Sequence, residues 1–418
     1  MPHPVACLPE EWRANMTAAG ESAFRGDQVF RWIHGRGVMA PAEMTNLSPA
    51  LRQRLEAAGL AAPIAVERVH RSDDGTRKLL VVLEGGERVE TVLLPRTSPA
   101  RASDDVGAGI GAGIGAGDGV GDGDGVGDDD GGDGDDVGDG DDDGGDGDDV
   151  DDRAAVAPLA RRVTQCVSTQ VGCAMGCVFC ASGIAGLKRH LGPEEIVGQL
   201  YAASRYLEPG EALRGVVFMG MGEPLHNYDA VARSIRLMTH PQGLALSPRR
   251  VTVSTSGLVP EIERLGADFG GKVRLAISLH QANDERRSAL MPINQKYPLA
   301  LLMAALRRYP LEGKSRITIE YTLVAGQNDA PADAKALLRL LEGLRAKVNV
   351  IPMNPIEHST LGPPAPERVA QFQRMLASAG LLCFVRRRRG DDVSAACGQL
   401  VMQGERPNAR FLARQPKP

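Results

Sequence analysis

Apolar and polar positions recur with two different periods along this chain, and the change from one to the other divides it. In the first 60 residues the spacing is helical: Phe24, Val29, Phe30, Trp32 and Ile33 fall near one face, and Leu47, Leu51 and Leu55 on another, which predicts short helices. Three apolar runs follow, 64–69, 78–83 and 89–94, separated by Asp74-Gly75 and Gly85-Gly86, and they predict small strands joined by tight turns. From residue 161 strand-like runs alternate with helical stretches. The runs are 163–167, 215–219, 250–254, 273–279, 316–324 and 348–352; helices are expected between them, for example over 193–206, 229–238, 299–309 and 331–344. Six strand–helix units predict an α/β fold, a parallel sheet curled into a partial (β/α)6 barrel, with a small N-terminal α+β domain before it. Sites in such barrels gather at the carboxyl ends of the strands.

Composition changes this picture at one place. Between Asp104 and Asp152 the chain is almost entirely Gly, Asp, Ala, Val and Ile, with 20 aspartates and no Lys or Arg. Such a segment cannot bury apolar surface and repels itself, so it reads as a solvated insertion. Gly131–Asp136 and Gly144–Asp149 match the start of a calcium-binding β-roll repeat, but the apolar residue that should follow is missing, and composition alone accounts for both. The expected divisions are therefore 1–96, 97–160, 161–400 and a tail at 401–418. Taking those aspartates from the net charge of −5 leaves the rest of the chain at +15, which favours a polyanionic partner such as RNA. No run of 18 apolar residues occurs, and Met1–Gly20 lacks the pattern of a secretion signal, so no membrane partner and a cytoplasmic location are expected.

Of seven cysteines, three crowd into Cys173-Ala-Met-Gly-Cys177-Val-Phe-Cys180, a C-x3-C-x2-C loop after the first barrel strand. Three thiolates on one short loop can hold three irons of a [4Fe-4S] cluster and leave the fourth open to a ligand. A structural zinc ion is the alternative. It would want four closed ligands in two-residue knuckles, and no partner knuckle is present in the sequence. Later strand ends carry polar groups too. Gly222 and Glu223 lie in a Gly-rich turn where a backbone can approach a ligand and a carboxylate can accept from an ammonium. Ser254, the Ser278-Leu279-His280 run and Asn354 follow further strands. Any one of these is more often a structural hydrogen-bonder. Their occurrence at successive strand ends after a cysteine loop points to a cofactor. Cys397, in a run of small residues, suggests an accessible loop and a nucleophile. Cys166 and Cys397 otherwise read as small buried residues.

The cysteine spacing resembles that of the radical S-adenosylmethionine superfamily. With Met219–Pro224, Ser254–Gly257, Ser278–His280, Arg389–Leu400, Phe24–Trp32 and Val89–Pro95, nearly the whole chain outside 97–160 resembles the RlmN/Cfr family of radical RNA methyltransferases. The resemblance implies that Cys173, Cys177 and Cys180 hold the cluster, and that Gly222, Glu223, Ser254, Ser278, Leu279, His280 and Asn354 bind S-adenosyl-L-methionine. It further implies that Cys397 is methylated by one S-adenosylmethionine, and that a second gives a radical which activates that methyl group. Cys166 then attacks the sulfur of Cys397 to release the product, and Glu90 takes the proton. The implied substrates are C2 of an adenine in 23S rRNA and the tRNA adenine beside the anticodon, with a donor such as flavodoxin and a monomeric enzyme. A divergent relative acting on adenine C8 or another RNA is the alternative. Arg249-Arg250, Arg286-Arg287, Arg307-Arg308 and Arg386–Arg389 are expected to meet phosphates.

A segment with almost no apolar bulk contributes little to any core. Deleting residues 104–152 should therefore leave the melting temperature nearly unchanged in a calorimetric scan; a large loss would show that the segment packs.

Overall fold

The helical periods at the amino end become α1 (Pro9–Ala18), α2 (Ala23–Phe30) and α3 (Pro49–Ala57). α3 starts where the Ser48 side chain accepts from the Leu51 N–H and Pro49 occupies the first turn. Val29, Phe30, Ile33, Leu47, Leu51 and Leu55 are buried as expected, but Phe24 is 53% exposed, with the Arg31 guanidinium 5.9 Å from its ring. At 100° per residue it lies roughly 120–140° around the helix from Val29 and Phe30, too far to share their face. The computed structural model describes residues 2–96, 161–183, 186–356, 359–386, 389–396 and 398–400; the acidic insertion, Cys397 and the tail from 401 lie outside them.

The three short runs form β1 (Ile64–Arg71), β2 (Arg77–Leu83) and β3 (Arg88–Pro95), paired antiparallel in sequence. They are not a sheet of their own. β3 pairs antiparallel with β4 (Arg161–Cys166), Val92 opposite Cys166, and so extends the main sheet at one edge. β5 (Gln170–Gly172) and β6 (Leu187–His190) make a separate hairpin. The main sheet continues with β7 (Glu211–Phe218), β8 (Val251–Thr255), β9 (Arg274–Ser278), β10 (Ile317–Leu323) and β11 (Ala346–Pro352). β4 and these five lie side by side and parallel, in the order expected. β12 (Cys383–Val385) adds a further parallel strand beyond β11; three residues are too few to show a period.

Helices fill the crossovers: α4 (Pro193–Ser204), α5 (Tyr228–Thr239), α6 (Val259–Phe269), α7 (Asp284–Leu290), α8 (Leu299–Arg308), α9 (Pro331–Leu341) and α10 (Pro366–Ser378). Helices on the sheet leave little of the strands wet, which is why β10 is buried along nearly its whole length. Tyr321 of β10 stacks on Phe372 of α10 with ring centres 5.3 Å apart.

The N-terminal strands are pinned by charge as well as by pairing. Arg77 of β2, 2% exposed, meets Glu211 of β7 at 2.7 Å, and Arg161 reaches the same carboxylate at 2.8 Å. Burial alone would raise the Glu211 pKa, but the hydrogen bond and charge of Arg77 hold it below the usual glutamate range. The pair's contribution is therefore complete above the ordinary glutamate pKa and is lost as pH falls through the lowered value. Arg77→Ala should cost about 3 kcal/mol in urea unfolding at pH 7, the low end for breaking a buried pair because Arg161 remains. It should also flatten the acid limb of the stability–pH curve.

Candidate active site

The cysteine loop leaves β5 and returns to β6, held at its base by Cys173 N–H donating to Gly186 O (3.2 Å). Cys173 is buried, and Cys177 and Cys180 are partly buried. Val178, Phe179, Leu290, Met291, Val324 and Met353 wall the loop with apolar surface. Burial first, and then the charges of Cys180, Cys177 and Glu223, push the Cys173 thiol well above its usual range. Cys177 is raised likewise, by burial and then by Cys180 and Glu223. The three sulfurs and Glu223 are thus electrostatic neighbours in one dry place. Among the described residues, no group of three or more His, Cys, Asp or Glu side chains is arranged to hold a single metal ion. The donor set fits a cluster: three thiols on one loop that repel one another as thiolates and need positive iron to stay ionised.

Glu223 is buried, and both its oxygens are engaged. Oε2 accepts from Ser256 N–H (2.8 Å) and Oε1 from Leu225 N–H (3.1 Å), which ties the turn after β7 to the turn after β8. Burial raises its pKa, and the hydrogen bonds from Ser256, Thr255 and Leu225 oppose the rise. Gly222 stands at φ 105° against Gln170, whose Oε1 accepts from the Glu223 N–H at 2.8 Å. A Cβ at 222 would lie 2.6 Å from the Gln170 Cβ. Ser254 is the last residue but one of β8 and Ser278 the last of β9, and both are partly exposed. Leu279 is fully buried, and its N–H donates to Glu320 O at 3.0 Å. His280 takes up a left-handed φ of 55°. Its Nδ1 accepts from Thr322 N–H (2.8 Å), its carbonyl accepts from Asn328 Nδ2 (2.6 Å), and its ring packs edge-on to Phe179 of the cysteine loop at 4.8 Å. Burial lowers its pKa to about 3, so the ring is neutral and is already used in part to hold the backbone. Asn354 is buried just after β11.

Glu90 and Cys166 lie at the junction of β3 and β4. Val92 faces Cys166, and with a two-residue period Glu90 and Val92 share a face, so Glu90 is a diagonal neighbour of Cys166. Ser168 Oγ donates to Glu90 O (2.6 Å) and Thr91 Oγ1 to Cys166 O (2.8 Å), locking the junction. The Glu90 carboxylate meets Lys78 Nζ at 2.9 Å, and Nζ also reaches Ser394 O at 3.3 Å. Cys397 is outside the described residues, but its chain neighbours rest on the cysteine loop: Ala181 N–H donates to Gly398 O (2.8 Å) and Ser182 Oγ to Leu400 O (2.7 Å).

Several arginines expected to meet phosphates have partners in this chain, Arg287 in the interior and Arg249, Arg286 and Arg308 at the surface. Arg287 is fully buried, Arg286 pairs with Asp333 at 2.5 Å, Arg308 with Glu263 at 2.5 Å and Arg249 with Glu312 at 3.4 Å. Arg386 is 4.0 Å from Glu320, and Arg389 donates to Pro95 O at 2.8 Å; 387 and 388 lie outside the described residues. The acidic partners of Arg286, Arg308 and Arg249 stand on other segments, Asp333 on α9, Glu263 on α6 and Glu312 after α8, which linear sequence does not display. Sequence marks neither Lys78, Gln170 and Asn328 nor the buried role of Arg287, which it offers only as a phosphate contact. Each acts by hydrogen-bonding to a residue far along the chain, and no local spacing marks that.

A parallel α/β sheet with a three-cysteine loop at its carboxyl edge defines a radical S-adenosylmethionine enzyme, and the family comparison agrees: residues 167–340 match the radical SAM superfamily. Residues 9–59 match the ribosomal RNA large subunit methyltransferase N-terminal domain. The dual-specificity RNA methyltransferase RlmN of Sorangium cellulosum is 62% identical over 408 residues, 98% of this chain and 97% of that one. The RlmN of Syntrophobacter fumaroxidans is 40% identical over 94% of this chain and 95% of its own. A radical SAM methyltransferase from Sphaerobacter thermophilus superposes with a TM-score of 0.77 at 36% identity, covering 96% of this chain and 99% of that one. The chain belongs to the RlmN family of RNA methyltransferases.

Gly222→Ala forces a side chain into backbone it rarely adopts and against Gln170. The variant should lose about 1–3 kcal/mol of unfolding free energy, read from the urea midpoint. It should also bind S-adenosylmethionine at least tenfold more weakly by equilibrium dialysis of the anaerobically reconstituted protein.

Proposed function

We propose that this chain methylates C2 of an adenine in 23S rRNA, and the tRNA adenine beside the anticodon, drawing the methyl group from S-adenosylmethionine by way of a methylated cysteine. The observation that carries the reading is the convergence of two sets of groups. Cys166 and Glu90 share one face of the β3–β4 junction, while the neighbours of Cys397 dock on the loop of Cys173, Cys177 and Cys180. Adenine C2 is electrophilic, so polar methyl transfer from a sulfonium fails there and radical chemistry is required. A [4Fe-4S] cluster held by the three thiolates, with S-adenosylmethionine at its open iron, supplies that radical.

In this reading Gly222, Glu223, Ser254, Ser278, Leu279, His280 and Asn354 line the cofactor site at the strand ends. Leu279 and His280 contribute mainly by backbone and ring placement. Cys397 carries the methyl group to the base. Once the adduct has lost the C2 proton and, to the oxidised cluster, one electron, the Cys166 thiolate attacks the Cys397 sulfur. The bond from that sulfur to the carbon breaks, and its electron pair stays with the carbon, which takes up a proton to become the methyl group. A Cys166–Cys397 disulfide is left. Glu90 accepts the proton lost from C2, and its pairing with Lys78 holds the carboxylate in place. The basic charge outside the insertion favours RNA. No helix among the described residues is long and apolar enough to cross a membrane. The reading carries with it a low-potential one-electron donor such as flavodoxin, a cytoplasmic site of action and a monomeric enzyme.

Replacing Cys173, Cys177 or Cys180 by Ala should abolish cluster assembly; full iron content in any of these variants would sink the metal assignment. The remaining two cysteines act at different stages. Cys166→Ala should stay covalently joined to its RNA, as an adduct that survives a denaturing gel and vanishes on ribonuclease treatment. Cys397→Ala should form none. Loss of 2-methyladenosine from the RNA nucleosides of a deletion strain, measured by mass spectrometry, tests the activity as a whole.

A further inference from the structure

Arg287 is 0% exposed, among the largest side chains fully buried in the protein. It leaves α7 and donates to four acceptors. Nε reaches Leu279 O (3.0 Å), Nη1 reaches Asn294 Oδ1 (2.8 Å), and Nη2 reaches Ser256 O (2.8 Å) and Ser278 O (3.1 Å). All four acceptors are neutral, and among the described residues no carboxylate stands at ion-pairing distance from it. Asp284 is one hydrogen bond removed, through Asn294 Nδ2 to Asp284 Oδ1 (2.9 Å). A buried guanidinium without an anion is costly, several kcal/mol by any reckoning, so its presence needs a compensating negative charge.

The geometry says where that charge lies. α7 ends against the cysteine loop, with Val178 N–H donating to Leu290 O at 3.1 Å. Burial pulls the Arg287 pKa down to about 10, and the first charge that pulls it back up is Cys177, ahead of Asp284. The carbonyls it grips, of Ser256, Ser278 and Leu279, lie at or just after the ends of β8 and β9, the strands that carry Ser254 and Ser278. One cation therefore ties the ends of β8 and β9 together within electrostatic reach of Cys177.

Resting on the cluster reading above, we propose that Arg287 is the counter-charge of the iron–sulfur centre: it offsets the thiolates and the electron that the donor adds, and so sets how readily the centre is reduced. It touches no reacting atom and is a positioning and charge-setting residue. A positive charge favours the more negative, reduced state, so removing it makes reduction harder.

The test uses the full chain, reconstituted anaerobically with iron and sulfide, as wild type, Arg287→Gln and Arg287→Lys. Iron content, thermal midpoint and the midpoint potential are read together, the potential by electron paramagnetic resonance during a redox titration. For Arg287→Gln the reduction equilibrium should fall at least tenfold, about 59 mV more negative for one electron. Arg287→Lys, which keeps a charge but loses the fork, should stay within that tenfold band. A purely structural clamp would lower iron content or melting temperature without moving the potential of the clusters that remain. A folded, iron-loaded Arg287→Gln with the wild-type potential would therefore overturn the proposal. Should Arg287→Gln hold no cluster, Arg287→Lys decides: a potential within the band supports the counter-charge, and a drop beyond it overturns it. A wild-type chain that binds no four-iron cluster would instead bring down the functional reading itself, and this assignment with it.

Discussion

Parallel pairing forces every strand of the central sheet to end on the same side, and that single constraint assembles the site. Residues as far apart as Cys166, Glu223, Ser256, Ser278 and Asn354 come to the same edge of the sheet because β4, β7, β8, β9 and β11 run in one direction. An apolar cluster of Val178, Phe179, Leu290, Met291, Val324 and Met353 lines part of the same region. Dryness then does chemical work: it pushes the thiols and Glu223 toward their neutral forms and leaves Arg287 as a cation among carbonyls. A site of that kind stays unfavourable for thiolates until positive metal charge arrives.

The N-terminal strands complete this arrangement. Because β3 pairs with β4, Glu90 reaches Cys166 through the sheet rather than across an interface between domains. The segment leading to Cys397 also leans on them. Gly390 N–H donates to Asp74 Oδ2 at 3.0 Å, Arg389 to Pro95 O at 2.8 Å, and Lys78 to Ser394 O at 3.3 Å. A turn at one end of the sheet thus supports a loop from the far end of the chain.

Much of this was legible in the sequence. Six parallel strands, the cysteine loop and the strand-end turns follow from period, spacing and turn residues, all of which are local. What was not legible is long-range. The joining of β3 to β4 depends on pairing across 65 residues, and β12 is too short for a pattern. Arg287 reads like any surface arginine beside Arg286, yet one faces Asp333 and the other the interior, a difference of one helical position. That the Nδ1 of His280 accepts from the Thr322 N–H, 42 residues on, is likewise invisible in the sequence.

Since Pro95 of β3 faces Val163 of β4, the chain that joins the two strands starts and ends at paired points of the sheet. The entropy of closing a chain between two fixed points grows only with the logarithm of its length, about 0.6 kcal/mol for each doubling. Sixty-four residues in place of four is four doublings, an entropic burden of about 2 kcal/mol spread over a whole sheet. The ring closes in any case, because Val92 to Pro95 are already in register with Cys166 to Val163. This junction is therefore a natural port in the fold, where evolution, or an engineer seating a reporter domain, can vary the length of chain without asking the active site to move.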